Sequence, residues 1–252
     1  MMYFLTVFGT FILPFIFAYG YWKKKTYWHS FYLGVFCFFI TQMVARPIFL
    51  KTMGYFYSPM QQIFESIPTI IIAASSAGIF EEVGRYLFWK KFRKDRKPTF
   101  QDALAFGIGH AGLEAAAGVG LRQLLSWQDL YYMDITIANM IYPLNRIIAG
   151  VGHVALTMIV FYGLRSNKRP KFFVFIAIVV HFLLDLIGGM IISLYDYEKT
   201  LWGFSWSIEH QDAFTILYML FSVISTSAII YLAYRGFSKI KESESNQNLE
   251  VL

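Results

Sequence analysis

Seven apolar runs, at about residues 2–21, 27–50, 62–89, 101–124, 135–163, 172–194 and 213–234, divide this chain, and short polar segments separate them. Each run is about twenty residues or longer, the length at which a helix rising about 1.5 Å per residue crosses a hydrocarbon core of about 30 Å. Backbone in lipid must satisfy its own polar groups, so runs of this length predict helices. The expected fold is all-α: a polytopic membrane protein, a single bundle of seven transmembrane helices over residues 1–241. The polar tail, 242–252, is expected to be disordered.

Composition supports this and excludes other classes. Charged residues make up 15% of the chain, against about 25% in soluble domains. The net charge of +6 does not indicate nucleic-acid binding, which needs a basic face on a soluble core. The single cysteine, Cys37, excludes a disulfide within the chain.

The basic residues fall in alternate gaps. Lys23, Lys24 and Lys25 follow the first run, Lys90 to Lys97 the third and Arg165 to Lys171 the fifth, while Arg235, Lys239 and Lys241 follow the seventh. The other gaps hold only Lys51 and Lys199, with Arg122 at the outer end of the fourth run. By the positive-inside rule the N-terminus lies outside and the C-terminus in the cytoplasm. The first run has its basic residues after it, so it is expected to be a retained span and not a cleaved signal.

Within the third run stand Glu81, Glu82 and Arg85. Ionisable groups inside a membrane helix cost about 2.5–3.5 kcal/mol each on insertion scales, so they mark function or a structural ion pair. Glu81 and Arg85 are spaced i,i+4, and Glu82 and Arg85 i,i+3, so both pairs can meet. Counting about 1.5 Å per residue from the cytoplasmic helix ends places Glu81 about 12 Å deep, His110 and His181 about 13 Å and His153 about 15 Å. Four helices therefore bring titratable groups to one layer. Glu114 and Asp185 lie one turn beyond His110 and His181, on the same helix faces. A glutamate can take a proton from water, and histidines can orient that water or bind a metal. Small residues, among them Gly107, Gly109, Gly150 and Gly152, surround these positions; they allow close helix approach or leave a void for water or substrate.

Glu81-Glu82-x-x-Arg85, Phe106-x-x-x-His110 and His181-x-x-x-Asp185 together resemble the signature of the CAAX-protease and bacteriocin-processing superfamily of intramembrane endopeptidases, which includes PrsW-like proteins. Residues Ala105 to Ala115 and the further His153 are more similar to the YhfC branch of membrane peptidases. The resemblance covers roughly residues 75–190. It implies an intramembrane endopeptidase of a bacterial cell membrane, acting on a peptide or membrane-protein substrate within the lipid bilayer. It also implies that Glu81 or Glu82, with Glu81 favoured, activates water, and that Arg85 holds the acidic pair. His110 would orient the water, and His181 with Asp185 would stabilise the oxyanion or share a metal. Glu114 is an accessory candidate. If the enzyme is a metalloprotease, His110, His153 and His181 would supply the three ligands of a zinc site; a metal-free glutamate/histidine mechanism suits the same residues.

Two departures from the CAAX enzymes bear on these roles. Arg85 follows the acidic pair after two residues where three are usual, and Asp185 stands where those enzymes have Asn. A negative Asp is a poor oxyanion donor, which favours orienting His181 or supporting a metal. Two other classes use the same residues: a proton-coupled transporter with buried relays, and a non-enzymatic scaffold or immunity protein with a degenerate site. Solute uptake without proteolysis would mark the first. Function surviving loss of all three histidines would mark the second.

Overall fold

A computed structural model describes residues 8, 12, 16, 19, 25–53, 67–121, 137–166, 169–196 and 208–250. Among these all regular secondary structure is helical, in six continuous rods. In the first rod, α1 (Lys25–Phe38) runs through a π-helical segment (Phe39–Ala45) into α2 (Arg46–Thr52). Next come α3 (Ile67–Phe92) and α4 (Phe100–Glu114), the latter passing into a second π-helical segment (Ala115–Gly120). The last three are α5 (Ile137–Ser166), α6 (Pro170–Asp196) and α7 (Ile208–Glu250). Among the described residues four stretches are long and apolar enough to cross a membrane: Tyr27–Thr52, Arg146–Ser166, Pro170–Met190 and Ile216–Glu242. The helices that hold Glu81, Glu82 and Arg85, and Asp102, His110 and Glu114, are not among the four. The first expected span, 2–21, lies mostly outside the described residues.

Residues 242–250 continue α7 as helix, and no Gly or Pro follows Gly236 to stop it.

The helix faces explain the packing. On α6, Phe172, Phe175, Val179, Leu183 and Ile187 are exposed at spacings of three and four, an apolar stripe suited to lipid. Val174, Ala177 and His181 of the same helix are buried. A large buried apolar cluster joins residues of α3, α4 and α5. There the Phe161 ring sits 4.7 Å from Trp89 and 5.1 Å from Phe106 by centroid, with Met158 and Val160 wholly buried.

Glycines permit this closeness. A Cβ at Gly109 would stand 2.1 Å from the Phe31 carbonyl oxygen, and one at Gly34 2.0 Å from that of Phe106, so α1 and α4 touch through backbone. A Cβ at Gly107 would lie 2.7 Å from Cα of Val154 on α5. At these three positions small residues serve close approach and leave no void.

The start of α4 is locked. Thr99 and Asp102 form a capping box, each side chain accepting from the other's backbone N–H. Asp102 is fully buried, accepts a hydrogen bond from Ser30 Oγ at 2.7 Å and pairs with Arg96. One carboxylate thus fixes α4 to α1 and to the basic segment after α3, setting the height at which α4 presents His110.

Candidate functional site

Four helices converge on one buried cluster. On α3, Arg85 Nη2 donates to Glu81 Oε2 at 3.0 Å and Nη1 donates to Glu82 Oε1, which their one-turn spacing permits. From α4, His110 Nε2 lies 2.8 Å from Glu81 Oε2. From α5, His153 Nδ1 lies 2.9 Å from Arg85 Nη2 and 3.3 Å from Glu81 Oε2. From α6, His181 Nδ1 lies 2.7 Å from Glu82 Oε1. The three imidazoles form a row, with ring centroids 5.3 Å apart from His110 to His153 and 5.4 Å from His153 to His181. The residues expected at one depth are thus in mutual contact.

All six side chains are buried, Glu82, Arg85 and His110 completely. Removing an ion from water costs several kcal/mol even after relaxation, so such a cluster persists only when its charges face one another. Here one guanidinium serves two carboxylates, and each carboxylate also meets an imidazole. Oε2 of Glu81 takes its contacts with Arg85, His110 and His153, leaving Oε1 as the oxygen free of them.

The outer members are distributed around this centre. Glu114 contacts His153 Nε2 through Oε2, and its Oε1 lies 3.8 Å from Arg146 Nη1. Asp185 Oδ2 is 3.4 Å from His181 Nε2, but the Asp185 side chain is 43% exposed. Glu82 is nearer and buried, so it is the stronger partner of His181. Both π-helical segments border the site. One begins directly after Phe38, whose ring packs edge-on to His110 at 5.1 Å; the other begins directly after Glu114. Such widened turns often occur at functional sites.

Arg146 is the site residue that motif spacing did not single out. It lies on α5 seven residues before His153, about two turns and therefore on a similar face. That register was available in the sequence once His153 had been chosen.

A metal suits these residues. Glu81, His153 and His181 each offer a donor atom, all within 4.8 Å of one another and all buried. Two imidazoles and one carboxylate match a donor set of hydrolytic zinc, which leaves a position open for water. Glu82 Oε2, Arg85 Nε and His110 Nδ1 are buried without a hydrogen-bond partner, polar capacity that a further group within the cluster would use. The expected set of three histidines is not the one this geometry groups. Glu81 joins His153 and His181, while His110 sits against Glu81.

A family model described as YhfC intramembrane metalloprotease matches residues 9–138. The chain belongs to that family. The part matched to the YhfC family model carries Glu81, Glu82, Arg85, His110 and Glu114; His153, His181 and Asp185 lie beyond it. The chain is also 27% identical over 240 residues to "Uncharacterized membrane protein YhfC" of Bacillus subtilis (strain 168), an alignment covering 83% of this chain and 87% of the relative. No solved structure matches. The chain is an integral membrane protein, and a bacterial membrane accords with that relative.

Proposed function

We propose that the protein is an intramembrane metalloprotease that hydrolyses a peptide bond of a membrane-embedded or membrane-tethered substrate. The observation that carries this is the donor group of Glu81, His153 and His181, buried among four helices. Glu81, His153 and His181 would hold the ion, with zinc favoured by the donor types. A bound zinc ion would lower the pKa of water and polarise a carbonyl.

The residues of the chain account for the proton path and the positioning. The Glu81 carboxylate, its Oε2 fixed by Arg85 and His110, takes a proton from the attacking water through Oε1. The water oxygen bonds to the carbonyl carbon, the C–N bond breaks, and the departing amine receives the proton from Glu81. Glu82 holds His181 by its Nδ1 and neutralises Arg85. His110 steadies Glu81 from the α4 side.

The wider kinship with CAAX-type enzymes, the seven-span count and the outside N-terminus belong to the same proposal. They rest on the motif order and on the alternation of basic residues.

The test is Glu81→Gln in the full-length protein, reconstituted with a membrane-tethered reporter peptide and assayed by metal analysis in parallel. Cleavage is expected to disappear. A parallel fall in bound metal is expected, since Glu81 is a ligand as well as the base; fully retained metal would remove Glu81 from the ligand set. Undiminished cleavage in Glu81→Gln would refute the proposal.

A further inference from the structure

The buried cluster is closed on one side and open on the other. Toward the end of the bundle that carries the basic run Lys90–Lys97, the helices continue into tight packing. Trp89 of α3, Phe106 of α4 and Met158, Val160 and Phe161 of α5 are all at most 2% exposed. Thr157, one turn from His153 in that direction, is wholly buried, and a Cβ on Gly107 would stand 3.3 Å from its Oγ1. Side chains packed at interior density leave no passage for water.

The opposite direction is looser. Glu114, four residues past His110, and Asp185, four past His181, each stand about 6 Å beyond the cluster, and Arg146, seven before His153, stands about 10 Å beyond it. The Glu114–Arg146 contact places these extensions of α4 and α5 on the same side. The side chains of Glu114, Arg146 and Asp185 are 24%, 25% and 43% exposed, against 9% or less for Glu81, Glu82, Arg85 and the three histidines. Lipid does not account for this exposure. Asp185 is two residues, about 200° around the helix, from Leu183 and from Ile187 of the lipid-facing stripe, and its Oδ2 faces His181 at 3.4 Å. On α5, Gly150 lies between Arg146 and His153 on their shared face. Among the described residues, a Cβ there would meet only Ala111 Cβ, at 3.8 Å. Ionisable groups left accessible at membrane depth line water-filled cavities.

We propose that Glu114, Arg146, Gly150 and Asp185 line a water-filled vestibule that admits water and substrate to the cluster from the end of the bundle opposite the basic run. One guanidinium and two carboxylates offer donors and acceptors to the backbone amides of an unwound peptide, and Gly150 leaves room for it. The substrate class follows: a membrane-tethered polypeptide whose cleaved segment is presented at the face where Lys51 stands near the end of α2, not at the basic face. The substrate half rests on the metalloprotease proposal; the vestibule half does not.

The experiment reads thiol access in the full-length protein. Cys37, wholly buried, is replaced by Ala. Single cysteines are then introduced by Ala149→Cys and Gly150→Cys in the vestibule and Thr157→Cys on the closed side, with Lys51→Cys and Lys94→Cys, both exposed positions, marking the two faces. Membrane vesicles of each orientation are treated with a charged, membrane-impermeant methanethiosulfonate. The thiolate is the nucleophile and apolar surroundings suppress it, so a cysteine facing lipid stays silent. Ala149→Cys and Gly150→Cys are expected to react from the Lys51 face alone, and Thr157→Cys from neither. A reporter peptide tethered at the Lys51 face should be cleaved, and the same peptide tethered at the Lys94 face spared. Vestibule cysteines that are silent from both faces, or reactive from the Lys94 face, would overturn the inference, as would a reactive Thr157→Cys. If one vestibule variant fails to fold, the other decides. Labelling as expected in a protein that cleaves neither reporter would support the vestibule while refuting the metalloprotease proposal. Cleavage of the reporter at the Lys94 face would refute the substrate assignment and leave the protease proposal standing.

Discussion

Replacing Arg85 with Met tests whether one guanidinium balances the buried cluster. Its side chain is fully buried, as is that of Glu82, and that of Glu81 is 5% exposed. The Arg85–Glu81 contact at 3.0 Å corresponds to about 5 kcal/mol of Coulomb attraction at an effective dielectric of about 20. Much of that attraction offsets desolvation, so the useful quantity is the cost of stranding the partners. Breaking a buried pair by removing one member costs about 3–5 kcal/mol. At about 2–4 °C per kcal/mol for a chain near this size, Arg85→Met should lower Tm by roughly 6–20 °C. Thermal unfolding in nanodiscs, followed by circular dichroism, measures this. Adding Glu82→Gln to Arg85→Met removes a stranded charge and should recover about 1 kcal/mol or more of the loss, a non-additivity expected of contacting residues. A Tm for Arg85→Met within 2 °C of wild type, or strictly additive losses in the double variant, would refute the idea that this guanidinium holds the site together.

Other perturbations probe the frame and the chemistry. Gly109→Ala places a Cβ where the Phe31 carbonyl oxygen stands 2.1 Å away; because that atom is backbone, a loss of about 1–3 kcal/mol is expected in chemical denaturation, and an unchanged midpoint would contradict the α1–α4 contact. Asp102→Ala removes the acceptor for Ser30, Arg96 and the Thr99 backbone; a loss of about 1–2 kcal/mol together with faster amide exchange in the first turn of α4 is the expected result. A strong chelator should stop cleavage of the tethered peptide, and added Zn²⁺ should restore it; activity that survives exhaustive chelation would argue against a metal.

Much of this arrangement was legible in the chain, and particular residues show why. Apolar run length predicted the helices from α1 to α7 to within a few residues at most ends, because lipid leaves the backbone no alternative. Counting residues from the helix ends put Glu81, His110, His153 and His181 in one layer, and the structure has them in contact. Depth along a helix follows from a fixed rise, whereas rotation about its axis depends on neighbours. That is why the layer was visible and its pairing was not. Nothing in the spacing showed that Glu82 would take His181 while Glu81 took His110 and His153. The buried group of Glu81, His153 and His181 was hidden for the same reason: azimuth decides which atoms converge. The π-helical turns beside Phe38 and Glu114 were also invisible, since they depend on packing that no local motif announces. No motif singles out Asp102, yet Ser30, 72 positions away, makes it a buried junction.

The central claim is that Glu81, His153 and His181 together hold a metal inside the membrane and use it on a peptide bond. Elemental analysis of the purified, lipid-reconstituted protein, wild type beside His181→Ala and His153→Ala, tests it most directly. The account predicts about one zinc per wild-type chain, from a single site of the usual tetrahedral kind, and loss of metal with loss of cleavage in both variants. Wild-type protein that cleaves the tethered peptide while carrying no metal, or variants that keep full metal and activity, would contradict it.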